Sequence, residues 1–221
     1  MPLILDSDGV YRCPGLKSQS WLDHGFGTAT QNPFGNEPNA SLKQIHSNMV
    51  CPVTLPGDRQ GEGDGLVTDI PGLWVSIRTA DCLPILLADP VNRVVAAVHA
   101  GWRGTVGQIV RIAVERMARD YGSRPEDLIA TIGPGISLCC FEVGPEVAGH
   151  FLQTEISLGK TNPKVDLKAA NRRQLIESGL KSFKINVSEE CTMCTPGFHS
   201  FRRDRTEGRL VSGIRRRIGA V

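Results

Sequence analysis

Cys82 and His99 are the residues whose types and positions best suit chemistry, because they flank a predicted β-hairpin. Two apolar runs, residues 83–88 and 94–98, enclose Asp89-Pro90-Val91-Asn92, which is typical of a type I turn. If Asp89 pairs with Asn92 across that turn, Cys82 pairs directly with His99. Opposed residues share one face of a sheet with Cβ atoms ~4.5–5.5 Å apart, so one metal ion or one proton can bridge them.

The residues after His99 predict a turn into a helix that can bind an anion. Apolar residues at helical spacing predict one helix over residues 106–121, with Thr105 as its N-cap. The turn from Gly101 to Thr105 would present free backbone N–H groups at the positive end of the helix dipole. Arg103 in that turn adds a planar guanidinium suited to an oxyanion. We therefore expect a bound anion there.

The rest of the pattern predicts several neighbouring strands and a few helices, which indicates the α+β class. Residues 41–50 alternate and predict a strand carrying His46, and the Gly-rich residues 56–65 predict a loop carrying Asp64. Asp166 is a predicted N-cap for a helix that ends near Ser178, before Gly179. Further strands are predicted at residues 10–13, 24–28, 66–68, 73–77, 128–132, 183–187 and 209–214, and a further helix at 145–153.

Size and composition are typical of one soluble domain. The chain has 221 residues, 40% apolar and 22% charged, so residues 1–221 are expected to form a single domain. The 25 basic and 23 acidic residues give no excess charge that would favour nucleic acid as a partner. No apolar run approaches the ~18–20 residues that span a bilayer. Residues 1–8 lack the basic region of a secretory signal, so a cytoplasmic protein without a membrane partner is expected.

The cysteines favour free thiols. Their number, seven, is odd, and the absence of a secretory signal favours a reducing compartment. Cys191 and Cys194 have the C-x-x-C spacing of half a zinc ribbon or a redox pair, but the sequence has no second C-x-x-C. The adjacent Cys139 and Cys140 are poorly placed for a simple disulfide. A structural role is therefore favoured for these four cysteines over a metal or redox role.

Eight short blocks occur in the order seen in one known family. They are H-G-F at 24–26, Q-I-H at 44–46, G-D-G-L-V-T at 63–68, T-A-D-C at 79–82, H-A-G-W-R-G at 99–104, I-G-P-G-I at 132–136, C-C-F-E-V at 139–143 and F-R-R-D at 201–204. From about His24 to Arg217 the chain thus resembles the multicopper polyphenol oxidase, or laccase domain, family of purine nucleoside phosphorylases. The A-D-C and H-A-G-W-R-G blocks are the most specific.

The resemblance implies a mixed β-sandwich core flanked by helices and a zinc site formed by His46, Cys82 and His99. It implies phosphorolysis of adenosine, inosine, guanosine and methylthioadenosine, so purine nucleosides and phosphate are the expected partners. Deamination of adenosine is the implied second activity. The sequence departs from the family between Thr30 and Ser41, where it lacks the longer segment with an Asn-Arg helix.

One thiolate and two imidazoles suit Zn²⁺ with a fourth position open for water or substrate, and a single copper ion is an alternative occupant. The plainer interpretation is that Cys82 is a small buried apolar residue and that the histidines are ordinary core or surface residues. Coupled copper centres need about ten histidines by the ligand preferences of copper. The chain has five, so laccase chemistry is not expected.

Phosphate is assigned, as a hypothesis, to Arg103 and its turn, with Arg202 or Arg203 as helpers. Asp64 and Asp81 are candidates to orient a ligand or act as acid or base, although an Asp beside a turn is more often a local cap. Arg78 alternates to the same face as Cys82 if the strand continues, so it can reach the site; a solvated role for it is equally compatible.

Three functions remain open from the sequence. The first is a zinc-dependent purine nucleoside phosphorylase. The second is a metal-free hydrolase in which His99 activates the Cys82 thiolate against an amide or peptidoglycan-precursor bond. The third is a zinc-stabilised binding protein without catalysis. The oligomeric state, monomer or homodimer, is also open.

Overall fold

A computed structural model describes residues 2–159, 161–205 and 207–219. The strands are β1 (Ile4–Leu5), β2 (Tyr11–Arg12), β3 (Leu22–Phe26), β4 (Asn39–Ala40), β5 (Val50–Pro52), β6 (Gly65–Thr68), β7 (Trp74–Thr79), β8 (Leu83–Asp89), β9 (Val94–Ala100), β10 (Ile129–Ile132), β11 (Ile156–Ser157), β12 (Lys164–Val165), β13 (Ile185–Val187) and β14 (Leu210–Arg216). The α-helices are α1 (Pro14–Lys17), α2 (Trp102–Val106), α3 (Ile109–Tyr121), α4 (Pro145–Ala148), α5 (Leu167–Glu177) and α6 (Phe201–Asp204). Short 3₁₀ turns occupy Pro125–Asp127, Gln153–Glu155 and Ser182–Lys184.

Two six-stranded sheets and a helical layer make up the fold. The strand orders are β1-β2-β3-β14-β7-β4 and β13-β10-β8-β9-β6-β5. The sheets share an apolar core in which Phe26 and Ile77 of the first accompany Leu86 and Val95 of the second. The other face of the second sheet joins a second core with α3 and α5. The predicted α+β fold, a mixed β-sandwich with flanking helices, is confirmed.

The second sheet lies between the first sheet and the helices, which explains the two apolar runs in the sequence. Every residue of β8 and β9 is buried. A strand covered on both faces needs apolar side chains at consecutive positions rather than at alternate ones. These two strands therefore form a rigid support, and β9 carries His99 near its end.

The β8–β9 hairpin exists, but its predicted register is wrong by two residues. Asp89 pairs with Val94, and His99 pairs with Pro84 rather than with Cys82. The turn is longer because the Asp89 carboxylate accepts hydrogen bonds from the backbone of Val91 at 2.8 Å and of Asn92 at 3.2 Å. Arg93 then closes the turn with a left-handed φ of 56°. A shift of two residues preserves the face to which a side chain points, whereas a shift of one would reverse it.

The predicted single helix over residues 106–121 is divided into α2 and α3. Gln108 adopts a left-handed φ of 58° between the two helices. Thr105 is not the N-cap; it lies inside α2, whose N-cap is Gly101. The hydroxyl of Thr105 accepts a 2.9 Å hydrogen bond from the Asn171 side chain of α5. The first helix after His99 therefore begins at Trp102, four residues earlier than predicted.

Three further predictions have different outcomes. The strand predicted at residues 41–50 is wrong, because most of this segment is a loop that begins after β4 and ends at β5. The helix predicted at 145–153 is one turn long, α4. The Asp166 N-cap is confirmed, since its side chain accepts a 3.0 Å hydrogen bond from the backbone of Ala169. In the described part of the chain, no helix is long and apolar enough to cross a membrane.

Candidate active site

Three side chains from distant parts of the chain meet at one end of the sandwich. His46 comes from the loop between β4 and β5, Cys82 from the link between β7 and β8, and His99 from β9. The possible ligand atoms of the three all lie within 4.8 Å of one another. The two imidazole rings have centroids 5.0 Å apart and planes inclined at 75°. One sulfur and two nitrogens can thus reach a common point.

Asp64 positions both histidines. Its buried carboxylate accepts a 2.7 Å hydrogen bond from Nδ1 of His99, which leaves Nε2 of that ring as the coordinating nitrogen. The same carboxylate accepts hydrogen bonds from the backbone N–H of His46 at 3.0 Å and of Ser47 at 2.6 Å. The Ser47 hydroxyl donates a further bond of 2.7 Å. These bonds hold His46 in its left-handed conformation, with φ 58°.

Asp81 fixes the segment that carries Cys82. It has a positive φ of 84° and links the first sheet to the second. Its two carboxylate oxygens accept 2.7 Å hydrogen bonds from the Thr192 hydroxyl and from the backbone N–H of Arg202. Its carbonyl oxygen accepts a 2.8 Å bond from the backbone N–H of Ile136. Asp81 therefore connects the segment that carries Cys82 to two other loops and to α6.

Contacts among Asp64, His99 and Cys82 favour the thiolate form of Cys82 and the charged form of the His99 imidazole. Burial opposes ionisation of Cys82, but hydrogen bonds from His46 and His99 outweigh it and lower the pKa of the thiol to about 6. Burial likewise opposes the charge on His99, but Asp64 and Cys82 raise its pKa to about 9. Burial would raise the pKa of Asp64, and hydrogen bonds from His99 and Ser47 lower it to about 2.

A cavity of about 710 Å³ opens beside the three ligands. All three line it, together with the apolar side chains of Ile136, Phe141 and Phe201. Four guanidinium-bearing residues also line it, namely Arg59, Arg78, Arg202 and Arg209. The volume is typical of a small-molecule site, and the mixture of apolar and cationic walls suits a ligand with a flat base and an anionic part.

The arginines predicted from the sequence fall into two groups. Arg78 and Arg202 line the cavity. The described residues that line it include neither Arg103 nor Arg203. The exposed Arg103 has its guanidinium carbon 4.4 Å from the centre of the Trp102 ring. Arg203 donates to the carbonyls of Thr192, Met193 and Phe198 and pairs with Asp204, so its hydrogen bonds hold a loop.

Several residues at the site were not identified from the sequence. Gln44 mimics a strand partner, since its amide bonds the N–H and the C=O of Arg78 at 2.8 Å each. Phe141 and Ile136 form apolar walls, although they lie in blocks that resemble the family. A weak signal existed for Gln44, which alternates with His46 in its block. No local pattern indicated Arg59 or Arg209.

Gly101 lies so close to Cys82 and His46 that a side chain at this position would contact both of them. A Cβ atom at this position would lie 2.9 Å from the Cys82 sulfur and 3.3 Å from Cδ2 of His46. The backbone φ of −75° is compatible with alanine, so only the contact is changed. We expect Gly101→Ala to lower kcat/KM on the order of 10²-fold, the usual cost of displacing reacting groups by about 1 Å. Metal content and steady-state kinetics measure the effect.

Gly61→Ala is the matched control for that variant. No heavy atom lies within 4 Å of a Cβ built on Gly61, which is exposed. It should therefore retain the activity of the unmodified protein. Equal activity of the two variants would show that the cluster tolerates movement of its sulfur.

The donor set fits a metal ion. A cysteine and two histidines bind borderline ions such as zinc, and copper accepts the same ligands. In the described part of the chain the cluster contains three donors. A tetrahedral ion held by these three residues would have a fourth position for water or substrate. Metal-binding histidines usually donate the N–H of their other ring nitrogen to a carboxylate or a carbonyl, and Asp64 is that partner for His99.

Comparisons with known proteins identify a family and several similar proteins. Residues 28–217 match the family described as "Multi-copper polyphenol oxidoreductase laccase". A protein of Deinococcus radiodurans named "Purine nucleoside phosphorylase" is 41% identical over 195 residues, which are 84% of this chain and 74% of that protein. "Adenosine deaminase RL5", from an unknown prokaryotic organism, is 40% identical over 164 residues, 70% of this chain and 62% of that protein.

The fold also has a close counterpart among solved structures. The crystal structure of YlmD from Geobacillus stearothermophilus superimposes with a TM-score of 0.88 at 28% identity, covering 97% of this chain and 98% of that one. The match of the family description extends over most of the chain, and it includes all three residues of the cluster. The chain therefore belongs to the multi-copper polyphenol oxidoreductase laccase family.

Proposed function

We propose that this protein is a zinc-dependent purine nucleoside phosphorylase with adenosine deaminase as a side activity. The observation that carries the proposal is the meeting of His46, Cys82 and His99 at the edge of a cavity that arginines and aromatic rings line. Relatives named purine nucleoside phosphorylase and adenosine deaminase support the substrate class. The expected substrates are adenosine, inosine, guanosine and methylthioadenosine, which are converted to the free base and the 1-phosphate of the sugar.

The walls of the cavity suggest how substrates bind. The apolar group of Ile136, Phe141 and Phe201 suits the flat purine base. The guanidinium groups of Arg78 and Arg202 suit a phosphate that must attack C1′ of the sugar in line with the departing base. Positive charge develops on the sugar during this attack, and a fixed phosphate dianion stabilises it.

Asp64 and Asp81 hold the metal-binding side chains in one orientation. Asp64 keeps His99 with Nε2 directed away from the carboxylate, and Asp81 keeps Cys82 in place. Zinc, when bound, lowers the pKa of a coordinated water towards ~7 and polarises a ligand atom. That chemistry suits attack at C6 of adenine in deamination and polarisation of a departing base in phosphorolysis.

Oxidation by coupled copper centres is not proposed, despite the family description. Such centres need about ten histidines by the ligand preferences of copper, and this chain has five. His24 accepts a hydrogen bond from the backbone of Cys13, and His150 stacks on Trp102. Only His46 and His99 belong to the cluster of possible ligands around Cys82 in the described residues.

The phosphate assignment can be tested by comparing arginine variants. We expect Arg78→Ala and Arg202→Ala to raise the KM for phosphate ~10-fold or more, since hydrogen bonds to charged groups contribute about 1.5–3 kcal/mol. Arg103→Ala should have the smaller effect because that side chain stacks on Trp102 at the surface. Phosphate titrations at saturating inosine measure all three. A larger effect of Arg103→Ala would instead support the helix turn after His99 as the phosphate site.

The proposed reaction is tested by a turnover assay with adenosine and inosine, with and without phosphate. Release of hypoxanthine and ribose 1-phosphate from inosine only when phosphate is present would support phosphorolysis. Conversion of adenosine to inosine without phosphate would support deamination. The same assay after removal of metal by a chelator, and after addition of Zn²⁺ or Cu²⁺, identifies the ion that restores activity. No product under any of these conditions would contradict the proposal.

A second candidate function, a metal-free cysteine hydrolase, is favoured by the bonding of Asp64, His99 and Cys82. The pKa of the thiol is lowered to about 6 by the two histidines, which outweigh burial, and Asp64 orients His99. In this reaction the Cys82 thiolate attacks an amide carbonyl, His99 protonates the leaving amine, and water then cleaves the thioester. An amide bond or a bond of a peptidoglycan precursor is the suggested substrate. Such an enzyme should survive chelation and lose activity on thiol alkylation.

A further inference from the structure

Four cysteine sulfurs outside the candidate active site form a second compact cluster. Cys139 and Cys140 lie in the turn after β10, and Cys191 and Cys194 lie in the loop after β13. All four sulfur atoms are within 4.8 Å of one another. The Cys140 and Cys194 sulfurs are 3.1 Å apart, and those of Cys139 and Cys194 are 3.8 Å apart.

The spacing suits one metal ion better than other arrangements. Zinc bound to four thiolates has Zn–S distances of ~2.3 Å, and a tetrahedron of that size has sulfurs ~3.8 Å apart. A disulfide requires ~2.05 Å between two sulfurs, and it gives no reason for the other two sulfurs to lie close to the bonded pair. An iron–sulfur cube would hold its four cysteines around several iron atoms, and therefore farther apart than a single ion does. Four sulfurs gathered around one point indicate a mononuclear site.

The surroundings of Cys191 favour a thiolate. The backbone N–H of Ser137 points at its sulfur from 3.4 Å. Amide groups that point at the first sulfur of a C-x-x-C turn stabilise negative charge, as a bound cation also requires.

Two lysines next to the cluster balance its charge. An ion of charge +2 with four thiolates carries a net charge of −2. The buried Lys168 donates hydrogen bonds of 2.8 Å and 2.7 Å to the carbonyls of Ser188 and Glu190. Lys164 donates a 2.7 Å bond to the carbonyl of Cys139. The site thus has cations at its border.

We propose that Cys139, Cys140, Cys191 and Cys194 bind a structural Zn²⁺ ion. Four protein thiolates leave no position for substrate, which distinguishes this site from the three-ligand cluster at Cys82. Soft thiolate ligands in a tetrahedron select zinc over magnesium, calcium or manganese. Each thiol releases its proton on binding, so affinity rises with pH until the thiols are ionised.

The proposed ion would hold in place the loops that carry residues lining the candidate active site. Cys191 forms a bridge with Gly135, next to Ile136, and Cys140 is followed directly by Phe141. Between the two cysteines of the C-x-x-C turn, Thr192 donates its hydroxyl to Asp81, which braces Cys82. A zinc ion here would tie the turn after β10 to the loop after β13, and so hold Phe141 and Asp81 in register.

Elemental analysis of purified protein tests the proposal. The unmodified protein is expected to hold about two zinc ions per chain, Cys82→Ala about one, and Cys194→Ser about one. Cys51→Ser is the matched control, because Cys51 is partly buried and lies outside both clusters; it should keep two. Cys194→Ser with the same zinc content as the unmodified protein would overturn the proposal. Iron instead of zinc in this position would do so as well.

Cobalt spectroscopy keeps the proposal testable if Cys194→Ser does not fold. In Cys82→Ala the Co²⁺-loaded protein should show the intense sulfur-to-cobalt charge-transfer bands of a four-thiolate tetrahedral site. Absence of those bands from folded, reduced Cys82→Ala would overturn the site. Mass spectrometry of the non-reduced protein gives the remaining outcome, since a Cys140–Cys194 disulfide in protein purified with zinc would also overturn it.

Discussion

Cys82→Ala is expected to abolish both phosphorolysis and deamination. The variant loses the one sulfur ligand of a three-ligand cluster and leaves two imidazoles without their shared partner. Loss of an outer partner of a metal ligand typically costs ~10–100-fold, and loss of the ligand itself should cost more. We therefore expect kcat/KM to fall by more than ~100-fold for inosine and adenosine. Zinc content should fall by about one ion per chain.

Cys51→Ala is the matched control for activity. The Cys51 side chain is partly buried, as Cys82 is, and its sulfur contacts only the carbonyl of Glu62 at 3.8 Å among the hydrogen-bond partners found in the described residues. It should retain full activity and full metal content. A Cys82→Ala variant that phosphorolyses inosine at the normal rate would remove the cluster from the mechanism. Activity that is lost while the zinc content stays equal to that of the unmodified protein would favour the hydrolase chemistry instead.

The sequence predicts the central hairpin because both of its strands are buried on both faces. The long apolar runs of β8 and β9 are what such a position requires. The register was missed because the Asp89 side chain bonds two backbone N–H groups and extends the turn to Val94. Turns of similar composition differ in length, and only packing selects one of them. Since the error was an even number of residues, the predicted meeting of Cys82 and His99 was preserved.

The loop that carries His46 could not be derived from local pattern. Its alternation predicts a strand, yet the segment is held by the Asp64 carboxylate, which lies far along the chain and accepts hydrogen bonds from the backbone of Ile45, His46 and Ser47. Tertiary hydrogen bonds thus override propensity here. The ligand role of His46 followed from the resemblance of its block to a family rather than from periodicity.

The same limit explains why the sequence did not show that Arg103 lies outside the cavity or that four cysteines form a second cluster. Arg103 follows a glycine turn into a helix, as an anion-binding residue often does, but it stacks on Trp102 instead of lining the cavity. Cys139 and Cys140 are about fifty residues from Cys191 and Cys194, and neither pair alone has a complete ligand set. The pairing of β10 with β13 and the bridge between Gly135 and Cys191 bring the two pairs together. Contacts between loops far apart in sequence leave no local signal.

Asp64→Asn is expected to lower both the metal affinity and the stability of the protein. The Asp64 carboxylate is completely buried, and its two oxygens accept hydrogen bonds from the His99 ring, the Ser47 hydroxyl and three backbone N–H groups. At this position one atom of an asparagine amide would be a donor NH₂ group, and it would face N–H or O–H groups that also donate. Removing one member of a buried charge pair typically costs about 3–5 kcal/mol, and losing the outer partner of a ligand ~10–100-fold in metal affinity.

The dependence of stability on pH separates this effect from ordinary loss of packing. The pKa of Asp64 is lowered from 3.8 to about 2, because hydrogen bonds from His99 and Ser47 outweigh the opposing effect of burial. The ionised carboxylate therefore contributes stability that is complete above pH 3.8 and is lost as pH falls towards 2. In metal-free protein, the difference in unfolding free energy between unmodified protein and Asp64→Asn should shrink across that interval.

Asp69→Asn provides the control, because Asp69 is exposed at the other end of β6 and its mutation removes the same charge. Urea unfolding between pH 7 and pH 2 should give nearly parallel curves for this variant and the unmodified protein, whereas the Asp64→Asn curve converges on them in acid. A constant deficit for Asp64→Asn at every pH would mean that altered packing causes its instability. Convergence in acid together with weaker zinc binding at pH 7 would mean that one buried carboxylate both stabilises the fold and orients the metal ligands.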